Sequence, residues 1–218
     1  MKSGFEFFSE TNKKVFPYTE TSYVFYKKIG LNRNTVPNNG VFNSGIPKDS
    51  NALFFINCDE VSIFESFFDH INYSTDKNYI FNIRCNMDKT KNLFLYVFVP
   101  SLYHKKNITQ PKWGIQLFNE KGELSHVSGQ LPLSLHTVQN MGVNFQLKEK
   151  FKLATLVKMY GYYSVQQALN GWARIGVTAI GVKNEARFAH GTIGRGIGPM
   201  GSSPVDPVLA YIDCTLYD

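Results

Sequence analysis

The chain is 218 residues long, 43% hydrophobic, 15% aromatic and 18% charged, with a formal charge of +6. That length holds one large domain or two small ones, each able to bury a core, and 18 Phe with 12 Tyr exclude a solvated coil. The longest apolar run, residues 93–99, is seven residues long, whereas a membrane-crossing helix needs about 20, so no membrane span is expected.

Lys2 and Glu6 place charges in the first residues, so the N-terminus does not read as a secretory signal, and a protein made and kept without Sec export is expected. Residues 4–13, with Gly4, Phe7 and Asn12, align without a gap on residues 114–123, with Gly114, Leu117 and Gly122. In both copies a short strand meets a polar turn, and Asn or Gly sits where positive φ is tolerated. Each copy therefore predicts a β-hairpin. Phe5 and Phe7, like Ile115 and Leu117, are i, i+2 pairs, which puts Phe7 and Leu117 on a core-facing strand side.

Further strands are expected over residues 23–29, 52–57, 79–87 and 93–99, all rich in Phe, Tyr, Val and Ile. From residue 81 to 87 apolar residues alternate with polar ones, the pattern of a half-buried antiparallel strand. Residues 59–71 place Phe64, Phe67, Phe68 and Ile71 on one helical face and predict a helix. The polar stretch 105–111 ends in Pro111 and reads either as a boundary between domains 1–110 and 111–218 or as a surface loop of a single domain. A second echo, residues 93–97 against 208–212, favours an internal duplication.

Beyond the boundary, strands are expected over residues 131–138, 172–182 and 208–216, and a two-turn helix over 164–170 closed by Gly171. Residues 196–201 match G-x-G-x-x-G, but Pro199, Pro204 and Pro207 forbid the helix that a dinucleotide site requires. The whole segment 191–207 reads instead as a long flexible or partner-ordered loop. The expected fold class is all-β: a β-sandwich, as two tandem related β-domains with little helix.

Chemical motifs are few. Cysteines at 58, 85 and 214 have no C-x-x-C spacing and read as buried or incidental thiols, not a disulfide scaffold or zinc ribbon. His70, His104, His126, His136 and His190 stand isolated, with no ligand spacing among them. No phosphate loop, metal helix or nucleophile elbow occurs, so no catalytic, cofactor-binding or metal-binding residue is assigned. Lys and Arg form no run longer than a pair, so no specific nucleic acid is expected. Tyr160, Tyr162, Tyr163 and Trp172 could stack on sugars or bases, but the same residue types fill sandwich cores and subunit interfaces, and the interface reading is preferred. Gly194, Arg195 and Gly196 join them as assembly residues supplied by the glycine-rich segment.

Residues 113–124, Trp-Gly-Ile-Gln-Leu-Phe-Asn-Glu-Lys-Gly-Glu-Leu, resemble the W-G-[LIV]-Q-[VL]-[FY]-[ND]-x-x-G-x-[LV] opening of small structural proteins of long-tailed bacteriophages, encoded near tail-tip and fibre genes. The final residues 211–217 resemble a closing strand of the type V-I-D-V-T-G-Y seen in such proteins. The sequence departs from that pattern after Leu124, where Ser125-His126-Val127-Ser128 replaces Phe-Asp-Ser, and at Leu216, which replaces Gly. The resemblance implies a non-enzymatic virion component of the tail tip, minor tail or fibre junction, assembled in the host cytoplasm and acting in assembly and host attachment. It implies other phage tail proteins as partners, a symmetric homo-oligomer in the particle, and a host surface glycan as a further contact. The competing readings are a receptor- or carbohydrate-binding module and a cell-wall-degrading enzyme. The latter would need carboxylates converging on a cleft, and the nearest acidic pair in sequence, Asp59-Glu60, is adjacent along the chain.

Overall fold

The computed structural model describes residues 23–32, 40–59, 67–71, 77–84, 92–103, 116–118, 124–127, 129–139, 145–168, 171–204, 206 and 208–218. For residues 67–71, 84, 116–118, 124–127 and 168 the backbone alone is described. Gly4, Phe7, Asn12, Gly114 and Gly122 lie outside the described residues, as does the expected boundary at 105–111.

The fold is all-β. The strands are β1 (Tyr23–Asn32), β2 (Val41–Pro47), β3 (Leu53–Cys58), β4 (Phe67–Ile71), β5 (Asn78–Arg84), β6 (Asn92–Pro100), β7 (Gln116–Phe118) and β8 (Leu124–Val127). They continue with β9 (His136–Val138), β10 (Gln146–Lys148), β11 (Leu153–Leu156), β12 (Met159–Ala168), β13 (Gly171–Val182), β14 (Glu185–Gly196) and β15 (Leu209–Asp213). Ten of them form one sheet along the path β10-β14-β13-β3-β11-β15-β9, with β6 and β1 added beyond β3 and β12 beside β13. A second sheet has the order β2-β5-β4, and β7 and β8 form the hairpin expected over residues 114–124. Among the described residues, no helix is long and apolar enough to cross a membrane.

The large sheet is buried on both faces at its centre, which is why residues 53–56 of β3 and 93–99 of β6 are continuous apolar runs. Phe54, Ile56 and Cys58 of β3 and Leu93, Leu95, Val97 and Val99 of β6 point to one side, where Ile46, Phe81 and Ile83 of the small sheet meet them. Phe54 packs edge-on against Phe81 with ring centres 4.8 Å apart, a geometry that favours aromatic pairs. Phe55, Tyr96 and Phe98 point to the other side and are covered by Ile212, Cys214 and Tyr217. Tyr217 closes this layer: its ring lies 4.9 Å from Phe98, and its hydroxyl accepts from the Ser134 N–H and donates to the Pro132 carbonyl, both at 2.8 Å.

Strands from both sides of residue 110 interleave. β3 pairs along one edge with β6 and along the other first with β11 and then, in parallel, with β13. A division at residues 110/111 would therefore cut a hydrogen-bonded sheet. At this fork the Asn57 amide, fully buried, donates to the carbonyls of Leu153 and Lys183.

Four expectations are corrected. Residues 67–71 are strand β4, paired with β5 in the register Phe67↔Arg84 to Ile71↔Ile80, not the end of a helix. Residues 164–168 belong to β12, held in extended form by β13 across Ser164↔Arg174 and Gln166↔Trp172. In both places sheet pairing outweighs a short local periodicity. Residues 191–196 are not loop but the second half of β14, paired with β13 as far as Trp172↔Gly196. The expected strand over 131–138 is shorter: residues 131–133 bond the free edge of β1 through Phe25 N–H to Leu131 O and Leu133 N–H to Tyr23 O, and regular strand begins at His136.

Candidate interface ribbon

β12, β13 and β14 form a long antiparallel ribbon, and its register fixes which side chains share a face. One face carries Tyr162, Ser164 and Gln166 on β12, opposite Gly176, Arg174 and Trp172 on β13, opposite Gly191, Gly194 and Gly196 on β14. A register shift between Arg174 and Ile175 keeps the last two glycines on that face. The β14 lane is thus bare of side chains.

Residues 197–204 fold back across this lane. A Cβ at Gly194 would stand 3.1 Å from Met200 Cε, and one at Gly196 would stand 3.6 Å from Met200 Sδ, so the glycines make the seat for Met200. The Met200 N–H donates to Ser164 Oγ (2.9 Å), Ser164 donates to Gly201 O (3.0 Å), and the Arg174 guanidinium donates to Met200 O. Further on, Ser203 N–H bonds Tyr162 O at 2.8 Å and Asp206 N–H bonds Tyr160 O at 2.6 Å, along the edge of β12. Lys158 pairs with Asp206, and this contact together with the Val208 N–H holds the Asp206 carboxyl below its usual range. The described part of the segment expected to be flexible or ordered by a partner is tied down by its own chain.

The sequence-selected residues separate accordingly. Tyr160 is 2% exposed and packs edge-on against Phe188, so it is a core residue and not a contact surface; burial pushes its phenol up. Tyr162 is half-buried under the Arg174 guanidinium, 4.8 Å from its ring centre. Tyr163, on the opposite face, brings its hydroxyl to 3.4 Å from Nδ1 of His190, whose pKa is lowered by burial. Trp172 is half-buried and faces Gly196 across the ladder, and Arg195 is exposed. Ile193 is 37% and Ile197 94% exposed, and neither they nor Trp172 belong to a core cluster. Among the described residues, the ribbon end therefore carries apolar surface outside the core clusters.

Ser164 and Met200 were not singled out from the sequence. The glycines at 191, 194 and 196 were the available sign, since a glycine lane in a strand marks a close approach. Of the other expected features, Cys58 and Cys214 are buried and form no disulfide, and His136 stacks on Tyr211 at 5.2 Å. Among the described residues, no three His, Cys, Asp or Glu side chains gather as metal ligands. Leu117 lies on β7, with its backbone alone described.

Comparison of the chain with protein-family models, with curated proteins and with solved structures finds no match.

Proposed function

We propose that the chain is a non-enzymatic structural component of a bacteriophage virion, located at the distal tail, where it acts in assembly and host attachment. The hairpin resemblance over residues 113–124 supplies the particle. The observation that carries the assembly role is the β12–β14 ribbon, whose end leaves Trp172, Ile193 and Ile197 outside the core clusters of the described residues, while Ser164 and Arg174 tie Met200 across it by hydrogen bonds. Apolar side chains fixed on a stiff scaffold lose little entropy on docking, which suits a permanent interface.

The test is incorporation. Trp172→Ala combined with Ile197→Asp alters the ribbon end without touching a core cluster, so the isolated chain keeps its melting temperature. Phage produced with this double variant should lack the protein in purified particles and lose infectivity. Particles that carry the variant at the normal level would refute the interface assignment.

A further inference from the structure

We propose that a cavity at the opposite end of the β1–β6 ladder from Asn32 and Asn92 is a saccharide-binding site. Its volume is about 470 Å3, inside the range of roughly 300–1,000 Å3 typical of small-molecule sites. The inference does not depend on the virion reading.

Three separate segments build the cavity. Tyr23 and Pro100 are register partners at the end of the ladder. Pro100 has no N–H to extend it, and the chain turns into helical backbone at residues 101–103, which brings Leu102 and Tyr103 to the cavity wall. The third segment is the 3-10 turn Lys48–Ser50, capped by Asn51 in the left-handed conformation at φ 50°. This turn is held from behind: Lys48 N–H bonds Lys77 O at 2.9 Å, Ser50 Oγ donates to Pro47 O at 2.5 Å, and the Tyr79 hydroxyl donates to Lys48 O at 3.3 Å. None of these bonds uses the side chains of Asp49 or Asn51, both of which belong to exposed residues lining the cavity. The Asp49 carboxylate makes no hydrogen bond or ion pair among the described residues. Its charge reaches the phenols of Tyr79 and Tyr103, each already pushed up chiefly by burial.

The lining thus joins two phenol rings, a proline and a leucine to a carboxylate and a carboxamide whose side chains have no hydrogen-bond or ion-pair partner among the described residues. A pyranose has the complementary make-up, an apolar C–H face and an edge of hydroxyl groups that donate and accept. The carboxylate offers acceptors to neighbouring hydroxyls, Asn51 offers both kinds of group, and the rings take the C–H face.

Saturation-transfer NMR on the isolated chain tests this with glucose, galactose, N-acetylglucosamine, rhamnose and their short oligomers, beside arginine ethyl ester as a cationic probe. At least one saccharide should bind saturably. Asp49→Asn and Asn51→Gly should each weaken it about tenfold or more, with the melting temperature unchanged; glycine keeps the left-handed backbone at 51. No saccharide binding at tens of millimolar, equal affinity in both variants, or preference for the arginine ester would overturn the proposal. Because the assay needs no particle, its failure is distinct from loss of the virion assignment.

Discussion

Gly181 sits where the large sheet forks, and a single methyl group there tests the topology. A Cβ at this position would stand 2.3 Å from Leu153 O, 3.0 Å from Ile56 O and 3.2 Å from Ala154 Cα, all backbone atoms of the two strands that meet β13 at β3. No side chain can swing away, so Gly181→Ala must part the strands. The bonds at risk are the Asn57 amide to Leu153 O and the Leu153 N–H to Lys183 O (2.9 Å). Overpacking of this kind costs about 1–3 kcal/mol, and losing one or two buried hydrogen bonds adds about 1 kcal/mol each, so roughly 2–5 kcal/mol is expected. In a chain of this size that lowers the melting temperature by about 5–15 °C. The control is Gly30→Ala, where the new methyl would meet only the Phe94 ring at 3.7 Å, an ordinary contact. That change should be neutral or stabilise by up to about 1 kcal/mol. Both variants are read by urea and thermal unfolding followed by circular dichroism. If Gly181→Ala unfolds within about 0.5 kcal/mol of Gly30→Ala, the fork is misassigned.

Tyr217→Phe should cost about 1–2 kcal/mol in urea unfolding, because the Ser134 N–H and the Pro132 carbonyl lose their shared partner while the ring stays in place; an unchanged midpoint would remove Tyr217 as the closure of that layer. The depressed carboxyl of Asp206 contributes stability that is present above the unfolded carboxyl pKa of about 4 and is lost as pH falls through its lower folded value. Wild type should therefore melt above Asp206→Asn near neutral pH, with the gap closing in acid; a gap that persists in acid would count against the Lys158 pairing. In a Cys85→Ser background, Cys58 and Cys214 should resist thiol reagents until the chain unfolds, since both are fully buried and burial pushes the Cys214 thiol up to about 12; rapid native-state labelling would contradict the packing.

The central strands were legible because they are buried on both faces: residues 52–56 and 93–99 read as unbroken apolar runs and fall in β3 and β6. Strand β5 was legible for the opposite reason, as Phe81 and Ile83 are buried and Asn82 between them less so, while residues 85–87 of the expected strand lie outside the described residues. Residues 67–71 and 164–168 misled because helical spacing over so few residues carries little energy beside a full ladder of partners. Residues 191–196 misled differently. Glycine normally weakens a strand, and its reason here, the seat for Met200, lies outside the strand. The cavity had no signature at all, since Tyr23, Asp49 and Tyr103 come from segments that only the sheet topology brings together.

The virion assignment is tested most directly by the particle itself, through mass spectrometry of purified phage combined with an electron-microscopy map of its tail. The account predicts this chain in stoichiometric, symmetry-related copies at the distal end, with Trp172 and Ile197 of the ribbon against a neighbouring subunit. A particle that lacks the chain, or that carries it anywhere but the distal tail, would contradict it.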